Sequence, residues 1–392
     1  MNQLDFNRLE KQIITRCPCC DTVAEVVFDL PGYPLTEFYK ELSDNSQPYG
    51  FIDQSVLFCE ICNHLFLGKI LDAQQIYSHY LTSTISSRGA VVCLENFVKF
   101  LERSAGSVTQ TTIIDIGGND STFLEYFVGR TLNLINIDAN ATSKNSLIQL
   151  RKSFLEDVNF EEFDSDTPKI FASSHTIEHL EQPVVLLEKL SKAIRDQDQL
   201  YLQFPSVELL VQQRRFDQIC HQHLNYFSLT SIDKILRRFG LYINSYEFDS
   251  THFGTLRLKA SRSKCKDVFS RRLSSKDVRN AFVSFQTYYA SLNMLLEQPF
   301  EQGQGFGAAL MVPTLAYYLP LIDQLSKIVD ENPLRIGKRF INLQPQILGL
   351  SELERDKPVL VTAISTKDAT RAIFTKLMAM GIRDICIPSV VI

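Results

Sequence analysis

Short apolar runs alternate with helical stretches through the middle of the chain. An apolar, β-branched run at residues 111–116 ends in a pair of glycines, and residues 121–127 then place apolar side chains at helical spacing. Further strand-like runs lie at residues 132–138, 169–174 and 199–206. Strands that alternate with helices are typical of a parallel sheet with helices on both faces. The pattern therefore predicts a doubly wound α/β core.

The last third of the chain repeats this pattern on a smaller scale. A charged helical stretch at residues 267–297 leads to a helix predicted at 310–319, and apolar runs follow at 358–363 and 384–388. These runs predict a second α/β unit. A length of 392 residues leaves room for two or three domains of ordinary size.

Composition and charge narrow the range of partners. The chain is 45% hydrophobic and 22% charged, and its 40 Lys and Arg against 45 Asp and Glu give a net charge of −5. Dedicated nucleic-acid binders usually carry a basic excess, so we expect a small ligand and no nucleic acid. No apolar run approaches the ~18 residues that cross a bilayer, and the N-terminus is polar. We therefore predict a cytoplasmic protein with no membrane partner, and the oligomeric state stays open.

Four of the nine cysteines form two Cys-x2-Cys pairs, Cys17 with Cys20 and Cys59 with Cys62. An odd number of cysteines in a long chain without a signal peptide argues against a disulfide framework. Each pair places two thiolates on one side of a tight loop, and the two pairs together supply four soft ligands for tetrahedral zinc. We predict a structural zinc, because four thiolates leave no open position for water. Cys19 is then left over, and the alternative is a group of buried free thiols.

The loop between the first two predicted strands has the composition of a nucleoside-cofactor site. Glycines let the loop approach a ligand closely, and the acid that ends the second strand, Asp138, can accept hydrogen bonds from both ribose hydroxyls. The loop lacks Gly-x-Gly-x-x-Gly spacing, and its acidic residues would repel the pyrophosphate of NAD. Asp115 and Asp120 suit a cofactor with a cationic amino-acid end, which favours S-adenosylmethionine. A tight strand-to-helix turn without a ligand is the alternative.

The third predicted strand leads into a segment with two histidines, His175 and His179. Their spacing invites a metal assignment, but the segment follows a strand directly and lacks the Glu position and helical context of a metalloprotease. We therefore assign no metal here and place His175 at the cofactor site. The predicted cofactor-binding residues are Asp115, Gly117, Gly118, Asn119, Asp120, Asp138 and His175.

Taken together, these segments resemble the three-part S-adenosylmethionine-dependent sugar C-methyltransferases that act on deoxysugar nucleotides. The resemblance spans most of the chain and rests on segments 17–20, 34–39, 59–62, 115–120, 177–180, 216–223, 252–257, 305–308 and 329–333. It implies a small N-terminal zinc-binding domain (residues 1–75), a Rossmann-like class I methyltransferase core (76–265) and a second Rossmann-like α/β domain (266–392). By the same resemblance, the last domain helps to hold the nucleotide part of the substrate.

The resemblance also implies a reaction and its base. Methylation of a carbon beside a ketone requires removal of an α-proton to give an enolate, which then attacks the methyl group of a sulfonium. A histidine that is neutral near pH 7 suits this task, and the resemblance assigns it to His223. His221, Gln222 and Tyr80 are the further catalytic candidates. A structural, hydrogen-bonding role for His221 and His223 is the alternative.

Several positions depart from the family pattern, among them Phe253 in place of a glycine and residues 311–313 in place of Lys-Gly-Asn. Cys220 stands where the family usually has tyrosine, Gln222 where it has glutamate, and Ser121 where the cofactor loop commonly has glycine. These changes leave two other hypotheses open, an O- or N-methyltransferase of a related sugar and a binding homologue with impaired catalysis.

Overall fold

Strands of the protein form a two-stranded, a four-stranded and two seven-stranded sheets within the part of the chain that the structure describes. The computed structural model describes residues 9–77, 85, 87–163, 166–252, 254–266, 268, 272–363 and 367–388. No helix in these ranges has both the length and the apolar character of a membrane span.

The N-terminal unit is built mainly from short antiparallel strands. Its elements are β1 (Glu10–Ile13), β2 (Glu25–Pro34), β3 (Tyr39–Glu41), β4 (Phe51–Cys59), β5 (His64–Leu67), β6 (Lys69–Leu71) and α1 (Ala73–Tyr77). Strand β4 pairs with β2 and β5, and β1 pairs with β6. Val56, Phe58 and Leu65 are buried in the core of this unit. One Cys-x2-Cys loop follows β1, and the other connects β4 to β5.

The central unit is the predicted doubly wound sheet. Its elements are α2 (Arg88–Ala105), β7 (Thr112–Ile116), α3 (Thr122–Glu125), β8 (Asn133–Ile137), β9 (Ile148–Arg151), β10 (Lys169–Ser174), α4 (Pro183–Ala193), β11 (Gln199–Pro205), α5 (Val207–Gln213), β12 (Asn225–Tyr226), α6 (Leu229–Arg238), β13 (Tyr242–Asp249) and β14 (Thr255–Ser261). The sheet order is β13-β14-β11-β10-β7-β8-β9. Strands β7 to β11 run parallel, and β14 is antiparallel to β11.

Side chains alternate between the two faces of this sheet, as the period of a β-strand requires. Ile113 and Ile170 pack with buried residues of α2 and α3, whereas Ile114 and Phe171 pack with those of α4 and α6. Helices therefore cover both faces, which confirms the predicted architecture. The four predicted strands are β7, β8, β10 and β11.

The sheet has a topological switch point between β7 and β10. The chain leaves β7 toward β8 and β9 on one side and returns to β10 on the other side of β7. Ligands of open α/β sheets bind in the crevice at the carboxyl ends of the strands at such a point. The glycine loop follows β7 and the histidine segment follows β10, so both flank this crevice.

The C-terminal unit is a second α/β layer, as predicted. Its elements are α7 (Ser275–Leu296), β15 (Gln304–Phe306), α8 (Val312–Tyr318), β16 (Lys327–Val329), β17 (Lys338–Phe340), β18 (Gln346–Leu348), β19 (Val359–Val361), α9 (Lys367–Ala379) and β20 (Ile385–Cys386). Its short 3-10 helices lie at Pro320–Gln324 and Leu350–Glu352. Those of the central unit lie at Leu155–Asp157, Phe160–Phe163, Ile177–His179 and Phe216–Gln218. The sheet order is β20-β19-β15-β16-β18-β17-β3.

Two short strands tie the units together. Strand β3 of the N-terminal unit pairs with β17 at the edge of the C-terminal sheet. Strand β12 of the central unit pairs with β5 of the N-terminal unit. Each of these strand pairs joins residues from different predicted domains. The limits expected at residues 75 and 265 therefore stay a prediction from the sequence.

Candidate active site and zinc centre

The cofactor loop is shaped by two glycines that leave no room for a side chain. Gly117 has a φ of +76°, and a Cβ there would lie 2.3 Å from the hydroxyl of Thr176. A Cβ on Gly118 would lie 2.5 Å from Oδ2 of Asp115 and 2.5 Å from Oδ1 of Asn136. The loop therefore passes close against the ends of β7, β8 and β10.

Ser121 adopts the left-handed backbone conformation, with φ 62° and ψ 14°, directly before α3. Glycine reaches this region without steric cost, which explains why it is common at this position. The buried serine is held by its hydroxyl, which donates to the Thr142 carbonyl at 2.6 Å and accepts from Nδ2 of Asn136 at 2.7 Å. The departure at Ser121 thus keeps the loop conformation.

The two outer acids of the site are fixed by hydrogen bonds from the backbone and a hydroxyl. Asp138 accepts the Asn119 amide at 3.2 Å through Oδ2 and the Asn140 amide at 2.7 Å through Oδ1. Asp120 accepts the Thr122 hydroxyl at 2.6 Å. Both carboxylates are therefore held at the carboxyl edge of the sheet before any ligand binds.

Asp115 lies buried beneath the loop at the end of β7. Burial, followed by the negative charges of Asp138 and Asp120, raises the pKa of its carboxyl to about 8. A cation that entered this site would favour the charged form of the carboxyl. Three acids around one crevice therefore fit the cationic amino-acid end of S-adenosylmethionine better than a pyrophosphate.

A small cleft opens beside Asp115 and Asp120, and four of the seven predicted cofactor residues line it, whereas Asn119, Asp138 and His175 do not. It is lined by Leu94, Asp115, Gly117, Gly118, Asp120, Thr122, Phe123 and Ser174. The predicted residue His175 directly follows the lining residue Ser174. The two carboxylates of this lining, Asp115 and Asp120, supply hydrogen-bond acceptors, which suit the cationic amino-acid end of S-adenosylmethionine.

The segment after β10 carries an acid–base cluster that also includes His223. Donor atoms of Glu178, His179 and His223 all lie within 4.8 Å of one another. The rings of His179 and His223 are 4.8 Å apart between centroids and nearly perpendicular. Nδ1 of His179 lies 2.9 Å from the Gln222 carbonyl oxygen, so a proton on this nitrogen would donate to it. A carboxylate and two imidazoles that lie this close together can share a proton or bind a cation.

His223 is buried, with 8% of its surface exposed. Burial, followed by the neighbouring charge of His179, lowers the pKa of His223 to about 3. The imidazole is therefore neutral at pH 7, and the burial that disfavours its protonated form makes it a weak base on its own.

The neighbours of His223 face the junction with the N-terminal unit. Nε2 of His221 lies 3.2 Å from the Tyr33 carbonyl oxygen. The amide of Gln222 donates to the Thr36 carbonyl at 3.2 Å and accepts the Thr36 hydroxyl at 3.1 Å. These contacts give His221 and Gln222 structural roles, and a catalytic role for them stays a prediction. Tyr80 lies outside the described residues.

Three groups near the site received no role from the sequence. Sγ of Cys93, on α2, lies 3.6 Å from Nε2 of His175. A guanidinium nitrogen of the buried Arg257 lies 3.8 Å from the same sulfur. On the other side, Nδ1 of His175 lies 3.1 Å from the fully buried carboxylate of Glu178. Cys93, Glu178 and Arg257 are far apart along the chain, so only the fold brings them together.

The four predicted zinc ligands converge in the N-terminal unit. The sulfur atoms that lie within 4.8 Å of one another are those of Cys17, Cys20, Cys59 and Cys62. The distance between the sulfurs of Cys20 and Cys59 is 3.7 Å. Two ligands of a tetrahedral zinc with Zn–S bonds near 2.3 Å are about 3.8 Å apart. Cys19 does not join this group, as predicted.

The local backbone of both loops also suits a thiolate metal site. Each loop turns directly after its second cysteine on a left-handed residue, Asp21 in the first and Asn63 in the second. The amide of Cys62 donates to the sulfur of Cys59 at 3.4 Å, and such amides relieve thiolate charge. The donor set and the spacing thus fit zinc.

Residues 88–246 match the methyltransferase domain family. The C-methyltransferase NovU of Streptomyces niveus is 18% identical over 208 residues, which are 51% of this chain and 49% of NovU. The match thus spans about half the length of NovU. Together with the strand order, the family match confirms the predicted methyltransferase core. The chain therefore contains a methyltransferase domain within residues 88–246.

Solved structures of methyltransferases are also similar to the chain. Magnesium protoporphyrin IX methyltransferase from Synechocystis, with bound S-adenosylmethionine, is 15% identical over 45% of this chain and 80% of its own, with a TM-score of 0.32. An S-adenosylmethionine-dependent methyltransferase from Aquifex aeolicus is 14% identical over 42% of this chain and 88% of its own, with a TM-score of 0.33.

Proposed function

We propose that the protein is an S-adenosylmethionine-dependent C-methyltransferase that acts on a keto-deoxysugar nucleotide through an enolate. The observation that carries this proposal is a buried His223 whose ring lies beside Glu178 and His179, two residues of the segment that follows β10. The similarity to NovU supports carbon as the acceptor atom.

Each part of the crevice has a task in this reaction. The carboxylate of Asp138 accepts the ribose hydroxyls of the cofactor, and Asp115 and Asp120 hold its ammonium end. S-adenosylmethionine supplies an electrophilic methyl group when it is bound. A ring nitrogen of His223 takes the proton from the carbon beside the ketone. Burial of His223 keeps water from competing for that nitrogen.

The zinc centre has a structural task in this proposal. Four cysteines hold one zinc, which fixes the connection between β4 and β5. Strand β5 pairs with β12, and β12 begins two residues after His223. Zinc therefore supports the position of the base through a strand pair.

The C-terminal unit repeats the acid arrangement of the cofactor site, which supports a role in nucleotide binding. Asp330 follows β16 and accepts backbone amides of Ala308, after β15, and of Asn332, two residues on. Asp138 accepts amides from the same relative positions, Asn119 and Asn140. An acid held in this way suits a ribose, so the substrate's nucleotide is assigned to this unit.

The test combines purified protein, S-adenosylmethionine with a labelled methyl group and a panel of nucleoside diphosphate keto-deoxysugars. We expect transfer of the label to a sugar carbon, identified by NMR of the product. Deuterium uptake at that carbon without S-adenosylmethionine would report enolate formation by itself. Transfer to oxygen or nitrogen would replace the proposal with an O- or N-methyltransferase, and binding of both ligands without transfer would indicate an impaired homologue.

A further inference from the structure

The site contains a buried carboxylate to which sequence analysis gives no role. Glu178 is fully buried on the 3-10 helix after β10. An ionised carboxylate away from water needs partners that compensate its charge and its hydrogen bonds. One oxygen, Oε1, has such a partner in Nδ1 of His175 at 3.1 Å. The other oxygen, Oε2, has no hydrogen-bond partner among the described residues.

His175 is held in its charged form by groups on both sides. Burial opposes protonation of its ring, but hydrogen bonds with Cys93 and Glu178 outweigh burial and raise its pKa to about 9. Burial likewise opposes ionisation of Glu178, but its bond to His175 and the neighbouring histidines outweigh burial and lower its pKa. The sulfur of Cys93 is in turn 3.8 Å from the guanidinium of Arg257. Glu178 therefore carries a negative charge at pH 7 in a fixed position.

The negative charge of Glu178 lies close to His223, the proposed base. A carboxylate oxygen of Glu178 lies within 4.8 Å of ring nitrogens of both His179 and His223. A buried neutral histidine is a weak base, because the imidazolium it forms is poorly solvated. A carboxylate in the same low-dielectric environment stabilises that imidazolium. Gln222, which precedes His223 in the chain, is uncharged and its side chain is bonded to Thr36, so it cannot do this.

We infer that Glu178 is the positioning carboxylate of His223, held ionised by His175 and Cys93, and that it stabilises the imidazolium formed when His223 removes the substrate proton. The proton moves from carbon to the ring nitrogen and leaves its electron pair in the enolate, so no further reactant is needed. This inference rests on the proposed function. It also explains how the chain can keep a base beside the neutral Gln222.

The test measures deuterium exchange at the carbon beside the ketone, in heavy water and without S-adenosylmethionine, with the panel of nucleoside diphosphate keto-deoxysugars. Glu178→Gln keeps the shape of the side chain and removes its charge, so we expect exchange to slow by about 10- to 100-fold. Zinc content should stay unchanged, because the four cysteines lie in another unit. The matched control is Glu181→Gln on the same segment, where the carboxylate pairs with Lys11 at 2.7 Å and is partly exposed. Glu181→Gln should exchange at the wild-type rate.

A double variant separates positioning from a merely structural role. If Glu178 acts through His223, then Glu178→Gln combined with His223→Asn should be no slower than His223→Asn alone. A further loss in the double variant would overturn the inference. Glu178→Asp keeps the charge and should retain more exchange than Glu178→Gln. If Glu178→Gln does not fold, Glu178→Asp takes its place in the comparison with the wild-type protein. Equal losses in these two variants would overturn the inference as well.

Failure of this inference and failure of the proposed function look different. Exchange that depends on His223 but not on Glu178 would overturn the inference and leave the proposed function standing. Exchange by the wild-type protein that survives in His223→Asn, or no exchange with any compound of the panel, would overturn both.

Discussion

A single methyl group added at Gly118 tests whether the loop after β7 is the cofactor site. In Gly118→Ala, the new Cβ would lie 2.5 Å from Oδ2 of Asp115 and 2.5 Å from Oδ1 of Asn136. Gly118 is not among the residues with positive φ, so the clash acts without backbone strain. Asn136 cannot move freely, since its amide donates to the Asn119 carbonyl at 3.1 Å and to Ser121 at 2.7 Å.

The expected magnitude follows from this contact. Insertion of a methyl group into a well-packed site costs about 1–3 kcal/mol, because neighbouring side chains and backbone must shift. Here the shift falls on the acid and the loop that would hold the cofactor. Affinity for S-adenosylmethionine should therefore fall by about 10- to 100-fold, since 1.4 kcal/mol corresponds to a factor of ten.

The assay is isothermal titration calorimetry with S-adenosylmethionine, accompanied by denaturant unfolding. Gly349→Ala is the matched control, because Gly349 has a φ of −78° and the nearest atom to its added Cβ is Cδ1 of Ile336 at 3.6 Å. This control should keep wild-type affinity and change the free energy of unfolding by no more than about 0.5 kcal/mol. Wild-type affinity in Gly118→Ala would refute the assignment of the loop.

Three further predictions concern the zinc centre, the ribose acceptor and the base. Cys59→Ser should lower the zinc content below one per chain and unfold the N-terminal unit, whereas Cys19→Ser should keep the metal. Elemental analysis measures the zinc, and circular dichroism measures the unfolding. Full metal content in Cys59→Ser would contradict the zinc assignment. Asp138→Ala should weaken S-adenosylmethionine binding by about one to a few kcal/mol, measured by calorimetry, because charge-assisted bonds are lost; unchanged affinity would exclude Asp138 as the ribose acceptor. His223→Asn should lower turnover by about 10²- to 10⁴-fold with cofactor affinity intact, and His221→Asn should lower it less; near wild-type turnover in His223→Asn would place the base elsewhere.

Long periodic segments of the central unit could be predicted from the sequence, because burial on both sheet faces leaves a strong apolar signal. Strands β7, β8, β10 and β11 lie where the runs predicted them. The cysteine ligands could be predicted as well, since a Cys-x2-Cys loop is a local feature. Strands β3 and β12, of three and two residues, leave no such signal, and their pairing depends on contacts between distant segments.

The ionisable groups around His175 could not be predicted from the sequence for the same reason. Cys93, Glu178 and Arg257 meet around His175 only in three dimensions. The resemblance assigned the base to His223, but the residues alone gave no physical reason to prefer it to His221, because both lie in one His-x-His segment. The fold separates them, since His221 contacts Tyr33 while His223 lies beside Glu178 and His179.

The most direct test of the central claim is the position of the transferred methyl group. The protein is incubated with S-adenosylmethionine carrying a ¹³C-labelled methyl group and with the panel of nucleoside diphosphate keto-deoxysugars, and the product is analysed by NMR. We expect a labelled methyl group bonded to the sugar carbon beside the ketone. A labelled methyl group attached to oxygen or nitrogen, or an absence of transfer to every compound in the panel, would contradict it.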